Sequence, residues 1–436
     1  MSARLDKIFR LSERGATVRG ELVGALTTFF AIAYIIFVTP GYLSQLGMDY
    51  TAVLIATCVA AALGCFLCAA LGLPFILTPG VGLNAFFTYT LCFAMGYTWQ
   101  QGLAVVFISG VLYLVITLTP LRELMISCIP PSMKNAISAG LGLFIAVIGL
   151  FNAGLISAQG GAMAMGDLSD PAVLLALIGV LITGALMAWK VKGAMLIGIV
   201  AITLLGLPMG VTVLPESLSM AGFSLSPVLF QLDFGGVFSM GILPLVTAVV
   251  TFTMCLTFDT LGSILSIAGA GNMLDKDGGI GRNSRVMTLS ALGTCAAACL
   301  GGPAIIPPVE CSTGISEGAR TGLHALAVGV LFLAAILIAP IAGIIPSAAT
   351  APALILIGML MIGNATNIYW HNIEIALPCF LTMIMIPFTY SVSDGIGVGF
   401  ISYAAIHLIT GKARRVPPVT YVLAAMFVVM YILSAL

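Results

Sequence analysis

The sequence predicts an all-α polytopic membrane protein: fourteen transmembrane segments in two inverted repeats of seven, with the third span of each repeat broken. Three observations predict it. Sixty per cent of the 436 residues are hydrophobic and 7% are charged, against about 25% charged in soluble domains, so lipid must be the solvent. The apolar residues form continuous runs of about 20, the length a spanning helix needs, and not the alternation of a β-barrel. Lysine and arginine recur on every second connection, which orients such a chain.

In order, the first half reads as spans at 22–43, 50–72, 74–96, 102–120, 132–152, 171–189 and 192–209. The second half reads as spans at 239–268, 286–302, 305–318, 322–343, 348–364, 374–390 and 395–411. Arg4, Lys7, Arg10, Arg14 and Arg19 precede the first span. No short apolar stretch with a small-residue cleavage site follows them, so the first span is expected to stay in the mature protein. Basic residues return at Arg122 and Lys134, at Lys190 and Lys192, and at Lys276, Arg282 and Arg285. The connections near 44–49, 97–101, 153–170 and 210–238, the last with Pro215 and Glu216, carry no Lys or Arg. This alternation puts the N-terminus in the cytoplasm. Seven spans per half then turn the second half upside down relative to the first, as in secondary transporters. Lys412, Arg414 and Arg415 close span fourteen on the cytoplasmic side. The apolar stretch Val419–Leu436 remains, with three placements open: along the interface, folded back as a hairpin, or a fifteenth span.

Two acids sit at bilayer depth. Asp259 lies inside the run Ile242–Ile267, and Glu310 follows Pro307-Pro308. A carboxylate there costs about 3 kcal/mol on insertion scales, so such residues usually face a cavity and serve a function. The segment Leu77-Thr78-Pro79-Gly80-Val81-Gly82-Leu83-Asn84 can be laid on Ile305-Ile306-Pro307-Pro308-Val309-Glu310-Cys311-Ser312. Each is span three of its half, and neither Pro79-Gly80 nor Pro307-Pro308 can continue a regular helix. Paired interrupted spans point to a transporter's binding site. Each is expected to become an extended stretch and a half-helix, with opened backbone tolerable only along a cavity and two positive dipole ends converging.

Glu310 is expected to accept N–H groups from a ligand. The competing role is an N-cap for its own helix. Asp259 has the competing role of a polar group satisfied by a neighbouring helix. Burial and a nearby like charge both disfavour ionisation of carboxylates in general, which is what proton coupling through Asp259 and Glu310 would need. Asn84 offers two donors and an acceptor, or serves as helix–helix glue. Thr28 and Ser312 are polar candidates, though Thr and Ser are common in spans through back-bonding. Phe258 could stack on a planar ligand or simply pack.

Other signals are set aside. Asp275-x-Asp277 has Ile280 where a calcium loop requires glycine. Gly395-x-Gly397-x-Gly399 follows no strand. His324, His371 and His407 are scattered, so neither metal nor cofactor is expected. The ten cysteines, including Cys65-x-x-Cys68, read as small core residues. Glu317 and Arg320 read as a cytoplasmic-side pair, and Asp394 as the cap of the last hairpin. Zero net charge offers no field for nucleic acid. No nucleophile–base set suggests an enzyme, and no P-loop suggests ATP-driven transport.

The chain resembles the AzgA-like purine permeases of the nucleobase:cation symporters, the nucleobase–ascorbate transporter superfamily. The resemblance rests on Arg14-Gly15-Ala16-Thr17-Val18-Arg19, Thr27-Thr28-Phe29-Phe30, Gly82-Leu83-Asn84-Ala85-Phe86-Phe87, Phe258-Asp259-Thr260-Leu261-Gly262, and Glu310 followed by Gly318-Ala319-Arg320-Thr321-Gly322. It implies a core domain from residues 1–120 and 239–345, and a gate domain from 121–238 and 346–436. It implies proton-coupled import of purine nucleobases by alternating access across the cell (inner) membrane, often by homodimers. The span-eight acid of the family falls on Asp259, its span-ten acid on Glu310 and its span-three polar position on Asn84. Cys311 stands where the family more often has Ser, and Ala319 where it more often has Gly. Segments such as Met385-Ile386-Pro387-Phe388-Thr389 look closer to guanine/hypoxanthine members, and Leu274-Asp275-Lys276-Asp277-Gly278 closer to adenine members. An anion transporter or exchanger of the same fold is the rival. It predicts an acid-free site, because half-helix dipoles favour anions.

Overall fold

The computed structural model describes residues 6, 8–119, 130–159, 162–213, 224–270, 283–339 and 343–435. Arg4, Lys7, Arg122, Pro215, Glu216, Arg282, Ile280 and the Leu274–Gly278 segment lie outside the described residues.

Each half begins with a span of unusual form. The first span is two helices, α1 (Val18–Ile32) and α2 (Ile35–Leu43), separated at Ala33-Tyr34. Pro40 lies inside α2, where it has no N–H to give the preceding turn. The second span is α3 (Tyr50–Ala70), capped by Asp49, whose carboxylate accepts from the Ala52 amide at 2.7 Å. The third span is a two-residue strand β1 (Thr78–Pro79), a five-residue helix α4 (Val81–Ala85) and a π-helical stretch Phe86–Ala94. The fourth is α5 (Trp99–Leu118), opened by a capping box between Thr98 and Gln101. Next come α6 (Pro131–Asn152), α7 (Pro171–Ala188) and α8 (Ala194–Gly206). Between α6 and α7 an antiparallel pair, β2 (Ile156–Gln159) with β3 (Ala162–Met165), occupies what the sequence suggests is a plain connection.

The second half follows the same order. A short helix α9 (Phe234–Ser239) precedes α10 (Ile242–Ala270) and α11 (Asn283–Leu300). Strand β4 (Ile305–Ile306) and helix α12 (Cys311–Ser316) make the broken tenth span. Then come α13 (Gly322–Ala335), α14 (Ser347–Ile362), α15 (Ile373–Thr389) and α16 (Val392–Ile409). Among the described residues eight helical segments are long and apolar enough to cross a membrane; the remaining spans are shorter or broken. The chain is therefore a multi-pass helical membrane protein of seven plus seven spans.

The residual apolar stretch is a helix, α17 (Pro418–Ala435). It runs back along α16: the Tyr421 hydroxyl donates to the Ala413 carbonyl at 3.1 Å, and Tyr431 to the Asp394 carbonyl at 3.1 Å. These contacts lie at opposite ends of α16, so α17 is its antiparallel partner and does not lie across its end. Ser391, not Asp394, caps α16; its hydroxyl accepts from the Asp394 amide at 3.2 Å. The open N–H donors of the first turn are better met by a hydroxyl just outside it than by an acid already inside it.

The two broken spans meet at the centre of the fold. β1 pairs antiparallel with β4, Thr78 opposite Ile306 and Pro79 opposite Ile305. The Gly80 amide continues the ladder to the Ala304 carbonyl at 3.2 Å. Around them pack α1 and α3 with α11, α12 and α13, while α6 packs with α14 and α15, and α7 with α14. α1 and α12 approach through glycine. A Cβ on Gly24 would lie 2.7 Å from the Gly314 carbonyl oxygen, so no larger residue fits there without displacement.

A buried carboxylate joins the halves at one end of this group. Glu21 of α1 accepts the backbone N–H groups of Arg320 (2.7 Å), Thr321 (2.9 Å) and His324 (2.9 Å). These are the donors that the start of α13 cannot satisfy within the helix, so an acid from the first span caps a helix of the eleventh. Arg14 donates to the Gly72 and Arg320 carbonyls. Arg320 itself turns to the carbonyls of Ile315 (2.5 Å) and Ala319 (2.8 Å). The expected Glu317–Arg320 pair does not form; Glu317 meets Lys192 at 2.6 Å instead. The left-handed Gly318 between them turns the chain, and Arg320 finds the open carbonyl end of α12.

Candidate functional site

Proline and glycine stop each third span, so both half-helices begin inside the fold. Glu310 immediately precedes α12 and has helical backbone angles, yet its side chain makes no cap bond to that helix. It reaches across to the first span, where the Tyr34 hydroxyl donates to Oε1 at 2.8 Å. No hydrogen bond from another described residue reaches Oε2, though the acid's own backbone amide also acts on the carboxylate. The N-cap role is therefore not what occupies this carboxylate.

Asp259 of α10 is an electrostatic neighbour of Glu310. α10 packs against both half-helices and against α6. A Cβ on Gly82, at the start of α4, would lie 3.9 Å from Asp259 Oδ2 and 2.4 Å from Leu141 Cδ2 of α6. The Asp259 carboxylate thus lies at van der Waals distance from the start of the first half-helix, and Leu141 leaves no room there for a side chain on Gly82. No hydrogen bond from another described residue reaches Asp259. Two acids from one half of the chain, and the bare backbone at the start of the other half's short helix, share one place.

The other sequence candidates divide. Asn84 is fully buried; its Nδ2 donates to Thr39 Oγ1 at 2.9 Å, and its Oδ1 has no partner among the described residues. One end of the amide is glue to the first span and the other is unsatisfied. Ser312 is half-buried in the first turn of α12, with its hydroxyl bonded to no described residue. Phe258 is buried, and Lys134 of α6 lies over its ring, 5.4 Å from the centroid. Thr28 is engaged elsewhere: Oγ1 meets His324 Nε2 at 2.9 Å. The Pro74 carbonyl, 2.8 Å from His324 Nδ1, can only accept, so in the neutral ring Nε2 takes the Thr28 hydroxyl proton. Among the described residues no group of three His, Cys, Asp or Glu is arranged to hold a metal ion.

Sequence reasoning missed Tyr34. A tyrosine in an apolar run gives no charge signal. No proline or glycine flanks it to mark the irregularity there, so only the fold brings it opposite Glu310.

The model of the Permease family (Xan_ur_permease) matches residues 19–398. The chain belongs to that family. The permease is 35% identical to the adenine permease AdeP of Escherichia coli, with 97% of this chain and 95% of that protein aligned. It is 36% identical to the guanine/hypoxanthine permease PbuG of Bacillus subtilis, over 98% and 99% of the two chains. These full-length relatives uphold the AzgA-like resemblance carried by the motifs around Asp259 and Glu310. In structure the permease is similar to the transmembrane domain of the cyanobacterial bicarbonate transporter BicA: TM-score 0.64, 17% identity, 86% of this chain and 97% of that one. At that identity the likeness shows the fold alone, the seven-plus-seven architecture described above. The protein is a transporter and not an enzyme.

Proposed function

We propose that this permease imports purine nucleobases together with protons, guanine and hypoxanthine in preference to adenine. The observation that carries the reading is the state of Glu310: an acid at the start of a half-helix that does not cap it, held by Tyr34 and beside Asp259. Purines present ring N–H groups, and a carboxylate supplies acceptors only. Glu310 takes those donors, Asp259 assists and carries the coupling proton, and the unsatisfied Oδ1 of Asn84 accepts from the far edge of the base. Ser312, Phe258 and Thr28 complete or support the walls. Two relatives whose names specify adenine and guanine/hypoxanthine support the substrate class.

The helices of 1–120 and 239–345 form the body that carries the base, and those of 121–238 and 346–436 the body it moves against, so alternating access comes from relative motion of the two. The setting is the cell (inner) membrane, with the N-terminus in the cytoplasm and two copies associated. An anion substrate is disfavoured, because two adjacent carboxylates would repel it. The test is one competition panel: labelled hypoxanthine uptake against adenine, guanine, uracil and urate. Competition by guanine and adenine but not uracil supports the reading; uptake insensitive to every purine overturns it.

A further inference from the structure

Between α1 and α2 the first span turns more tightly at Ala33-Tyr34, with both residues keeping helical backbone angles. Tyr34 is almost fully buried there, at 3% exposure. A buried hydroxyl needs a partner, and this one spends its proton on Glu310 Oε1 at 2.8 Å. The contact crosses 276 residues of sequence and joins the first span of one half to the broken span of the other. A hydrogen bond to an ionised acceptor is among the strong ones.

We propose that Tyr34 is the positioning residue of the site: its phenol fixes the rotamer of Glu310 and holds Oε1, leaving Oε2 as the edge offered to substrate. The proposal rests on the purine-binding reading and adds how the acceptor is aimed. Without the phenol, Glu310 has a cap position within reach, where its carboxylate would turn back onto α12 and leave the site.

Tyr34 from the first span and Asp259 from α10 are the electrostatic neighbours of Glu310 from other elements. Cys311 on its own helix is a third, with its thiol turned to the Pro74 carbonyl at 3.7 Å, and Cys65 and Cys68 of α3 are neighbours of Cys311 in turn. A hydrogen bond to the ionised form of an acid favours that form. Removing the phenol therefore moves the acid limb of purine binding to higher pH.

The experiment measures equilibrium binding of radiolabelled hypoxanthine and guanine to the purified full chain from pH 5 to 8. Wild type, Tyr34→Phe, Glu310→Gln and the double variant are compared. Tyr34→Phe is expected to weaken binding about tenfold and to move the acid limb to higher pH. In the Glu310→Gln background the same change is expected to do neither, because the group it positions has lost its charge. If wild type binds and Tyr34→Phe leaves both affinity and pH profile unchanged, Tyr34 is not a positioning residue and the purine reading survives. An equal loss in both backgrounds with no pH shift identifies a purely structural tyrosine and also overturns the proposal. A wild-type protein that binds no purine overturns the functional reading and this assignment together.

Discussion

Replacing Glu310 by Gln changes one oxygen to an amide and keeps the shape. The fold should tolerate it: Glu310 caps nothing in α12, and Gln retains a carbonyl for the Tyr34 hydroxyl that now lies 2.8 Å from Oε1. What changes is the oxygen with no described partner. As a carboxylate oxygen it accepts a ligand N–H; as an amide nitrogen it opposes one. A hydrogen bond to a charged group contributes about 1.5–3 kcal/mol, so one lost bond weakens binding about 10- to 150-fold. A donor facing a donor pushes the loss toward the upper end. The assay is equilibrium binding of labelled hypoxanthine to purified protein, with a thermal melt in detergent as the control for folding. A normal melt with a large loss of affinity is expected. Unchanged affinity would remove Glu310 from the site and with it the argument that its missing cap bond has a functional cause.

Asp259→Asn should abolish accumulation of purine against a gradient while leaving exchange of labelled for unlabelled base measurable; a variant that still concentrates purine shows that the proton travels elsewhere. Glu21→Ala leaves three backbone N–H groups at the start of α13 without their acceptor, at roughly 1–3 kcal/mol for each buried donor left unmet, and should lower the melting temperature sharply with little change in affinity for any protein that remains folded. Gly82→Ala puts a methyl 2.4 Å from Leu141 Cδ2, an overpacking of about 1–3 kcal/mol. Uptake should fall, and Leu141→Ala in the same chain should restore it. Failure to restore would mean that the space before Asp259, and not the contact with α6, is what matters.

The parts of this molecule legible in its sequence are those that break a local rule. Asp259 and Glu310 stand out because charge does not belong in an apolar run, and Pro79-Gly80 and Pro307-Pro308 because helices cannot run through them. The parts that were silent are those in which each residue looks ordinary alone. Tyr34 is one more aromatic in a span, and Thr28 and His324 meet across 296 residues. Glu21 looks like a common first-turn acid of α1 until α13 arrives with three open donors. Glu317 and Arg320 invite pairing because they are close in sequence, but a left-handed Gly318 and a lysine 125 residues away decide otherwise. The hairpin of β2 and β3 was hidden because its residues are small and only weakly alternating, though Gly160-Gly161 between them is a turn signal.

The four residues paired across β1 and β4 have a mechanical consequence. Any swing that parted the two short helices would have to tear main-chain bonds in a place with no water to replace them. If access alternates as proposed, the cradle travels as one solid piece, and the hinges belong at its margins, in the connections to the helices around it. A base held there would feel the same grip whichever face of the bilayer it is shown to. Under the proposed proton coupling, direction of uptake would then be set by the ion gradient and not by a tight side and a loose side.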